Sequence, residues 1–208
     1  MPARVKTSQK TRLEIAAIAA KLVAIEGVTD YHAAKRKAAV RLGLPADKNL
    51  PTNREVENAL IDYQCLFQPE TRAKLLKDLR GKAVHAMKLL REFDPRLVGP
   101  VATGTATQSS EIVLHLYSDE VERIGLYLFE HGIPGRICEK HVRINARETA
   151  IFPAYRFIAD QTAVMLVVFS RKQRALRPIS SIDNKVMKML TLEKLVELLE
   201  CRENSTDP

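Results

Sequence analysis

Long apolar runs are missing from this chain. The longest uninterrupted one, residues 163–169, has seven residues, against the roughly 20 that a membrane-crossing helix needs. The N-terminus MPARVKTSQKTR is basic and has no apolar h-region, so a secretory leader is not expected. Cysteine is scarce. Cys65, Cys138 and Cys201 are odd in number, far apart and in neither CxxC nor CxxH spacing, which argues against a disulfide framework or a zinc site and for a reducing cytoplasm. Several catalytic signatures are absent too: no G-x-S-x-G elbow, no Walker lysine after a Gly-rich loop and no G-x-G-x-x-G. The histidines make no i, i+4 pair with one another or with cysteine. Glu139 and His141 would share a strand face, but without a third ligand. Neither a repeat nor a low-complexity linker occurs.

What remains is globular in character. Hydrophobic residues make up 46% and charged residues 28% of 208 positions, enough for one good-sized domain or two small ones. The formal net charge is +8, and it is unevenly placed. Residues 1–92 hold 18 Lys and Arg against 10 Asp and Glu, while residues 93–208 hold 15 against 15. The whole excess therefore sits in the first half. Such an excess suits a polyanion, nucleic acid being the commonest, or simply solubility.

The first half has helical periodicity. Residues 9–26 space Ile15, Ile18, Leu22 and Ile25 on one side, and Gly27 is a natural stop. Asp30 is placed to cap a helix over 31–42. Thr52 with Glu55 reads as a capping box. The helix it opens carries Val56, Ala59, Leu60, Tyr63 and Phe67, and a longer helix runs from Pro69 to about residue 92. After Asp94-Pro95 the period changes. Residues 98–102, 111–117, 137–145, 155–159 and 163–169 read as strands, with a helix over 121–131. Thr191 is placed to cap a last helix, and the tail over 203–208 is expected to fray.

The most informative stretch is residues 97–119, LVGPVATGTATQSSEIVLHLYSD: strand, Gly-containing turn, strand. Gly104-Thr105 is followed by a short polar loop and then Ser110-Glu111-Ile112-Val113-Leu114. This resembles the nucleotidyltransferase superfamily, in which a Gly-Ser turn precedes a strand reading Ser-Asp-hydrophobic-Asp-hydrophobic. The resemblance covers roughly residues 75–135, with weaker support to 170. It implies an α+β fold with a mixed sheet flanked by helices, Mg²⁺ at paired acids, and nucleotide phosphates at the turn, here Gly104, Thr105, Ser109 and Ser110. Acids at i and i+2 on one strand face converge on a hard cation, and two metals activate the attacking oxygen and stabilise the leaving one. Here Glu111 stands for the first acid, but Val113 replaces the second and binds no metal. The third acid of such a site comes from a later strand. Residues 163–169 have none, and Asp160 lies just before them. His115 shares the face of Glu111 but lies about 13 Å along it, at ~3.3 Å per residue. On alternation Ile112, Leu114 and Leu116 face the core, while Glu111, Val113, His115 and Tyr117 face the sheet surface.

Residues 31–41, YHAAKRKAAVR, contain Lys35, Arg36, Lys37 and Arg41 and no acid. With Ala33, Ala34, Ala38 and Leu42 inward, most of this charge points outward, to phosphates or simply to solvent. Residues 33–66 also read as a stretched helix-turn-helix, although the connection of about ten residues exceeds the usual turn. A second basic cluster, Arg171, Lys172, Arg174 and Arg177, follows the last strand.

The expectation is a cytoplasmic α+β protein of bacterial type. A basic helical region over 1–68 precedes a nucleotidyltransferase-like core over 69–208. It is catalytically degenerate and binds nucleotide or nucleic acid, with no membrane partner. Two alternatives stay open. One is an active Mg²⁺-dependent nucleotidyltransferase using Glu111 and Asp160, and the other is a DNA-binding regulator working through residues 30–66.

Overall fold

The computed structural model describes residues 3–47 and 49–203. Of the tail expected to fray, residues 204–208 lie outside these. The protein is α+β: among the described residues there are seven α-helices and one five-stranded mixed sheet. No helix is long and apolar enough to cross a membrane. The chain forms two compact units. One comprises Met1–Leu75, Thr105–Ser109 and Ser181–Asp183, and the other comprises Leu76–Gly104, Ser110–Ser180 and Asn184–Pro208.

The first unit is helical: α1 (Ala3–Glu26), α2 (Tyr31–Arg41), α3 (Asn53–Phe67) and the beginning of α4 (Pro69–Leu89). Asp30 caps α2 through His32 and Ala33 N–H. Thr52 and Glu55 form the expected capping box on α3. The core joins Ile15, Ala16, Ala19, Ala20, Leu22 and Val23 of α1 to Ala34, Ala38 and Ala39 of α2 and to Val56 and Leu60 of α3. Its many alanines let the helix backbones approach closely. Four expected inward positions are corrected, among them Leu42, which caps the end of α2 and is exposed. Ile25 and Phe67, near the ends of their helices, are 63% and 68% exposed, and Ala33 of α2 is exposed as well. Buried Ala39 and Lys35 of α2 and Gln64 of α3 take up interior positions instead.

The second unit is built on the sheet. Its strands are β1 (Arg96–Val98), β2 (Ile112–Tyr117), β3 (Arg136–Arg143), β4 (Thr149–Ala159) and β5 (Thr162–Phe169), in the order β1-β2-β5-β4-β3. Only β2 and β5 run parallel. Ile112, Leu114 and Leu116 alternate with Val113, His115 and Tyr117 along β2, as pleating requires. The first set is completely buried, and its face is helix-covered. Tyr155 on the same face bonds to Val121 of α6 (Val121–Glu130), and Lys82 of α4 bonds to Thr162.

The opposite face is not a sheet surface, contrary to expectation. His115 and Tyr117 are 2% and 5% exposed. Tyr117, Phe152, Ala154, Met165, Val167 and Phe169 form a second apolar cluster there, with Ile144 and Leu176 packed against it. A central strand beside a parallel neighbour is commonly buried on both faces, and alternation alone does not reveal that.

Two strand boundaries also change. Residues 98–102 are not a strand: β1 ends at Val98 and α5 (Gly99–Thr103) follows. Gly99, at φ +74°, turns the chain, Pro100 fits the first turn, and Gly104 in the left-handed region closes it. Strand β4 starts six residues earlier than the expected 155. Pro153 is tolerated inside it because the ladder with β5 begins only at Ala154, so the preceding residues pair with β3 alone.

Candidate functional site

In the sheet unit, Glu111 immediately precedes β2 and is half-buried. Its carboxylate is held in an ion pair by Arg156 of β4. Gly99 packs beside the next residue on that face, with a Cβ built there falling 3.9 Å from Val113 Cγ2. Val113 is paired directly with Met165 of β5, and Arg156 is paired with Met165 from the other side. The positions from which further acids would meet Glu111 therefore carry a valine, a methionine and an arginine. These residues do not fit Mg²⁺. No group of three or more His, Cys, Asp or Glu among the described residues is arranged to hold a metal ion.

Asp160 is not brought to Glu111. It occupies the two-residue turn between β4 and β5 with Gln161, at φ +46° and +60°. Its carboxylate lies 3.1 Å from Lys82 Nζ, which also donates to Thr162 Oγ1 at 3.1 Å. Thr162 belongs to the helix-covered face and Arg156 to the opposite one, so the two carboxylates are engaged on different sides of the sheet. His115 is buried against Phe169, with ring centroids 4.6 Å apart, and its Nδ1 has no hydrogen-bond partner among the described residues. Burial, with a smaller contribution from Lys140, holds its pKa down to about 4.

The polar loop divides between the units. Gly104 and Ser110 belong to the sheet unit, and Thr105 and Ser109 to the helical one. Within the helical unit, Thr105 and Thr107 are each 6% exposed. The Thr105 hydroxyl lies 3.3 Å from the Glu57 carboxylate that accepts from it. The hydroxyls of Thr107 and Ser109 are 3.2 Å apart. Gln64 Nε2 donates to the Ala106 carbonyl at 3.1 Å.

This anchoring exposes a group that sequence reading missed. Glu57 is half-buried beside Thr105, with Tyr31 and Asp183 within electrostatic reach. Its pKa is raised by burial, and further by Asp183, against the Thr105 hydroxyl. Tyr31 is pushed up by burial and by Glu57. No spacing signals this cluster, because its members come from four distant stretches of chain.

The basic helix is compensated by side chains outside it. Lys35 does not point outward: it is 8% exposed, its Nζ donates to Asn53 Oδ1 at 2.8 Å, and desolvation lowers its pKa. Its aliphatic stem suits the interior while its ammonium finds a partner. Lys37 and Arg41 both bind Glu26, each at 2.7 Å. These hydrogen bonds, Lys37 first, hold the Glu26 carboxyl below its usual range. Arg36 lies 3.6 Å from Asp47. The acids that compensate the helix come from outside it, which is why its own sequence looked uncompensated.

No protein-family model matches the chain, and no curated protein matches it in sequence.

Proposed function

We propose that this chain is a nucleotidyltransferase-like protein that has lost two-metal chemistry and binds a nucleotide. The observation that carries this reading is the arrangement around β2. A short strand, a Gly99 turn and a short helix lead to Glu111 and β2, and β5 lies beside β2 where a third acid would stand. Val113 and Met165 occupy that face, and Glu111 is neutralised by Arg156. Order and topology thus support the resemblance, while the chemistry of these residues argues against Mg²⁺-dependent transfer. A nucleotide is favoured over a nucleic acid because Lys35 is buried and Lys37 and Arg41 share the carboxylate of Glu26.

The test is a thermal-shift and turnover screen of the full chain with each NTP, with and without Mg²⁺ or Mn²⁺. A ligand that binds only the folded state raises Tm by mass action. The reading predicts a shift with nucleotide that needs no metal, and no nucleotidyl transfer. Metal-dependent transfer lost in Glu111→Gln would restore the active enzyme. No shift with any nucleotide would overturn the binding reading.

A further inference from the structure

We infer that the sheet unit carries a binding site for a phosphorylated small molecule at the end of β2 opposite Glu111. Tyr117 closes β2 six residues after Glu111, which at ~3.3 Å per residue is about 20 Å along the strand. The site is therefore separate from the one discussed above and does not rest on that reading.

A cavity of about 560 Å³ opens there, within the range of about 300–1,000 Å³ typical of small-molecule sites. Arg96 at the start of β1, Arg174, Arg177 and Lys194 of α7 (Leu192–Glu203) line it. Met187 and Met189 supply apolar wall, and Tyr117 lies among them. The second basic cluster of the sequence is thus only partly used: Arg174 and Arg177 reach the cavity, and Arg171 and Lys172 are not in its lining.

The charges do not cancel. Asp94 bridges two of the cations, at 2.8 Å from Arg96 and 2.6 Å from Arg174 Nε. Glu193 is held by its own backbone N–H and by Thr191, and it also feels Arg96. Four cations therefore face two carboxylates. Arg177 makes only long contacts, 3.4 and 3.3 Å, to the carbonyls of Arg174 and Leu176. Lys194 Nζ has no hydrogen-bond or ion-pair partner among the described residues.

Tyr117 adds a phenol to the cavity wall. The residue is 5% exposed, so more than nine-tenths of it is buried. Its ring lies tilted against Phe169, with centroids 5.9 Å apart, and its hydroxyl has no hydrogen-bond partner among the described residues. Tyr117 lines the cavity, so its hydroxyl is placed to donate to a phosphate oxygen bound there. The two arginines offer the planar forks that suit phosphate, and Lys194 a mobile point charge. Methionine is adaptable wall for a flat or apolar group attached to that phosphate. The class implied is a phosphate ester with an apolar or aromatic portion, of which a nucleoside diphosphate is one example.

Isothermal titration calorimetry of the full chain with ADP, pyrophosphate and ribose 5-phosphate tests this. Expected is binding of ADP, with pyrophosphate weaker and ribose 5-phosphate weakest. Charge reversal at two exposed positions, Arg177→Glu with Lys194→Glu, should weaken ADP by at least about tenfold, since each charge-assisted bond lost is worth about a factor of ten or more. Tyr117→Phe should weaken it by about three- to tenfold, and Glu111→Gln should leave it unchanged. If the double variant does not fold, Lys194→Gln alone replaces it, with a loss of about three- to tenfold. Absence of heat with all three ligands would overturn the site. So would unchanged affinity in the charge variants, or a loss confined to Glu111→Gln, which would place the nucleotide at the other end of β2.

Discussion

Val113 and Met165 stand opposite each other on the parallel pair β2 and β5, on the face that Glu111 shares with its ion-pair partner Arg156. Two apolar side chains and a guanidinium thus share one face with a single carboxylate. The arginine holds this carboxylate and, as a cation, would repel a metal ion there.

That pairing makes a modest prediction. Arg156 is largely exposed and Glu111 only partly buried, and such pairs are worth no more than about 1 kcal/mol. Glu111→Gln should therefore lower Tm by no more than about 4 °C for a chain of this size. A much larger loss, measured by differential scanning calorimetry, would mean that the carboxylate supports more than Arg156.

Gly125 in α6 should not tolerate alanine. Helix propensity favours alanine by about 1 kcal/mol. A Cβ there, however, falls 2.7 Å from the Tyr155 hydroxyl and 3.2 Å from its ring, and that hydroxyl bonds to the Val121 carbonyl at 3.1 Å. Overpacking costs about 1–3 kcal/mol and the displaced hydrogen bond about 1 more, so the clash wins. Gly125→Ala is expected to cost about 1–3 kcal/mol net and to lower Tm by about 2–12 °C. Tyr155→Phe, which removes the nearest atom, should recover part of that loss in the double variant.

His115 sets an acid limit. Its folded-state pKa of about 4 lies below the ordinary 6.5, so the unfolded chain takes up the proton first. The stability it contributes is present above pH 6.5 and is lost as pH falls toward 4. Over that span the loss is about 3 kcal/mol. Urea unfolding at pH 7.5, 6, 5 and 4.5 should show this decline, and His115→Leu should flatten it. An equal slope in the variant would assign the acid sensitivity elsewhere.

The capping box of α3 gives a test in the helical unit. Thr52 Oγ1 accepts from Glu55 N–H at 3.2 Å, and Glu55 Oε2 accepts from Thr52 N–H at 2.6 Å. The same Glu55 oxygen binds Arg12 at 2.8 Å. Thr52→Ala is expected to cost about 1 kcal/mol, read by urea unfolding. Glu55→Gln should cost less, because its amide oxygen still accepts from the cap.

Local chemistry was legible from the sequence. The caps at Asp30 and Thr52, the stop at Gly27, the change of period near residue 93 and the inward alternation of Ile112, Leu114 and Leu116 each depend on residues only a few positions apart. Such features follow from backbone dihedrals and strand or helix period, which the chain carries within itself.

Other features needed distant partners. Lys35 looked like an outward charge until Asn53 gave its ammonium a bond in the interior, and the cations of α2 looked uncompensated until Glu26 met two of them. Residues 98–102 were apolar enough for a strand, but the positive φ of Gly99 made them a helix. The buried second face of β2 depends on β5 lying parallel beside it. The cavity beside Tyr117 gathers Arg96, Arg174, Arg177 and Lys194 from well-separated parts of the chain. Burial, charge pairing and cavities belong to side chains that meet through the tertiary structure, so sequence spacing alone does not reveal them.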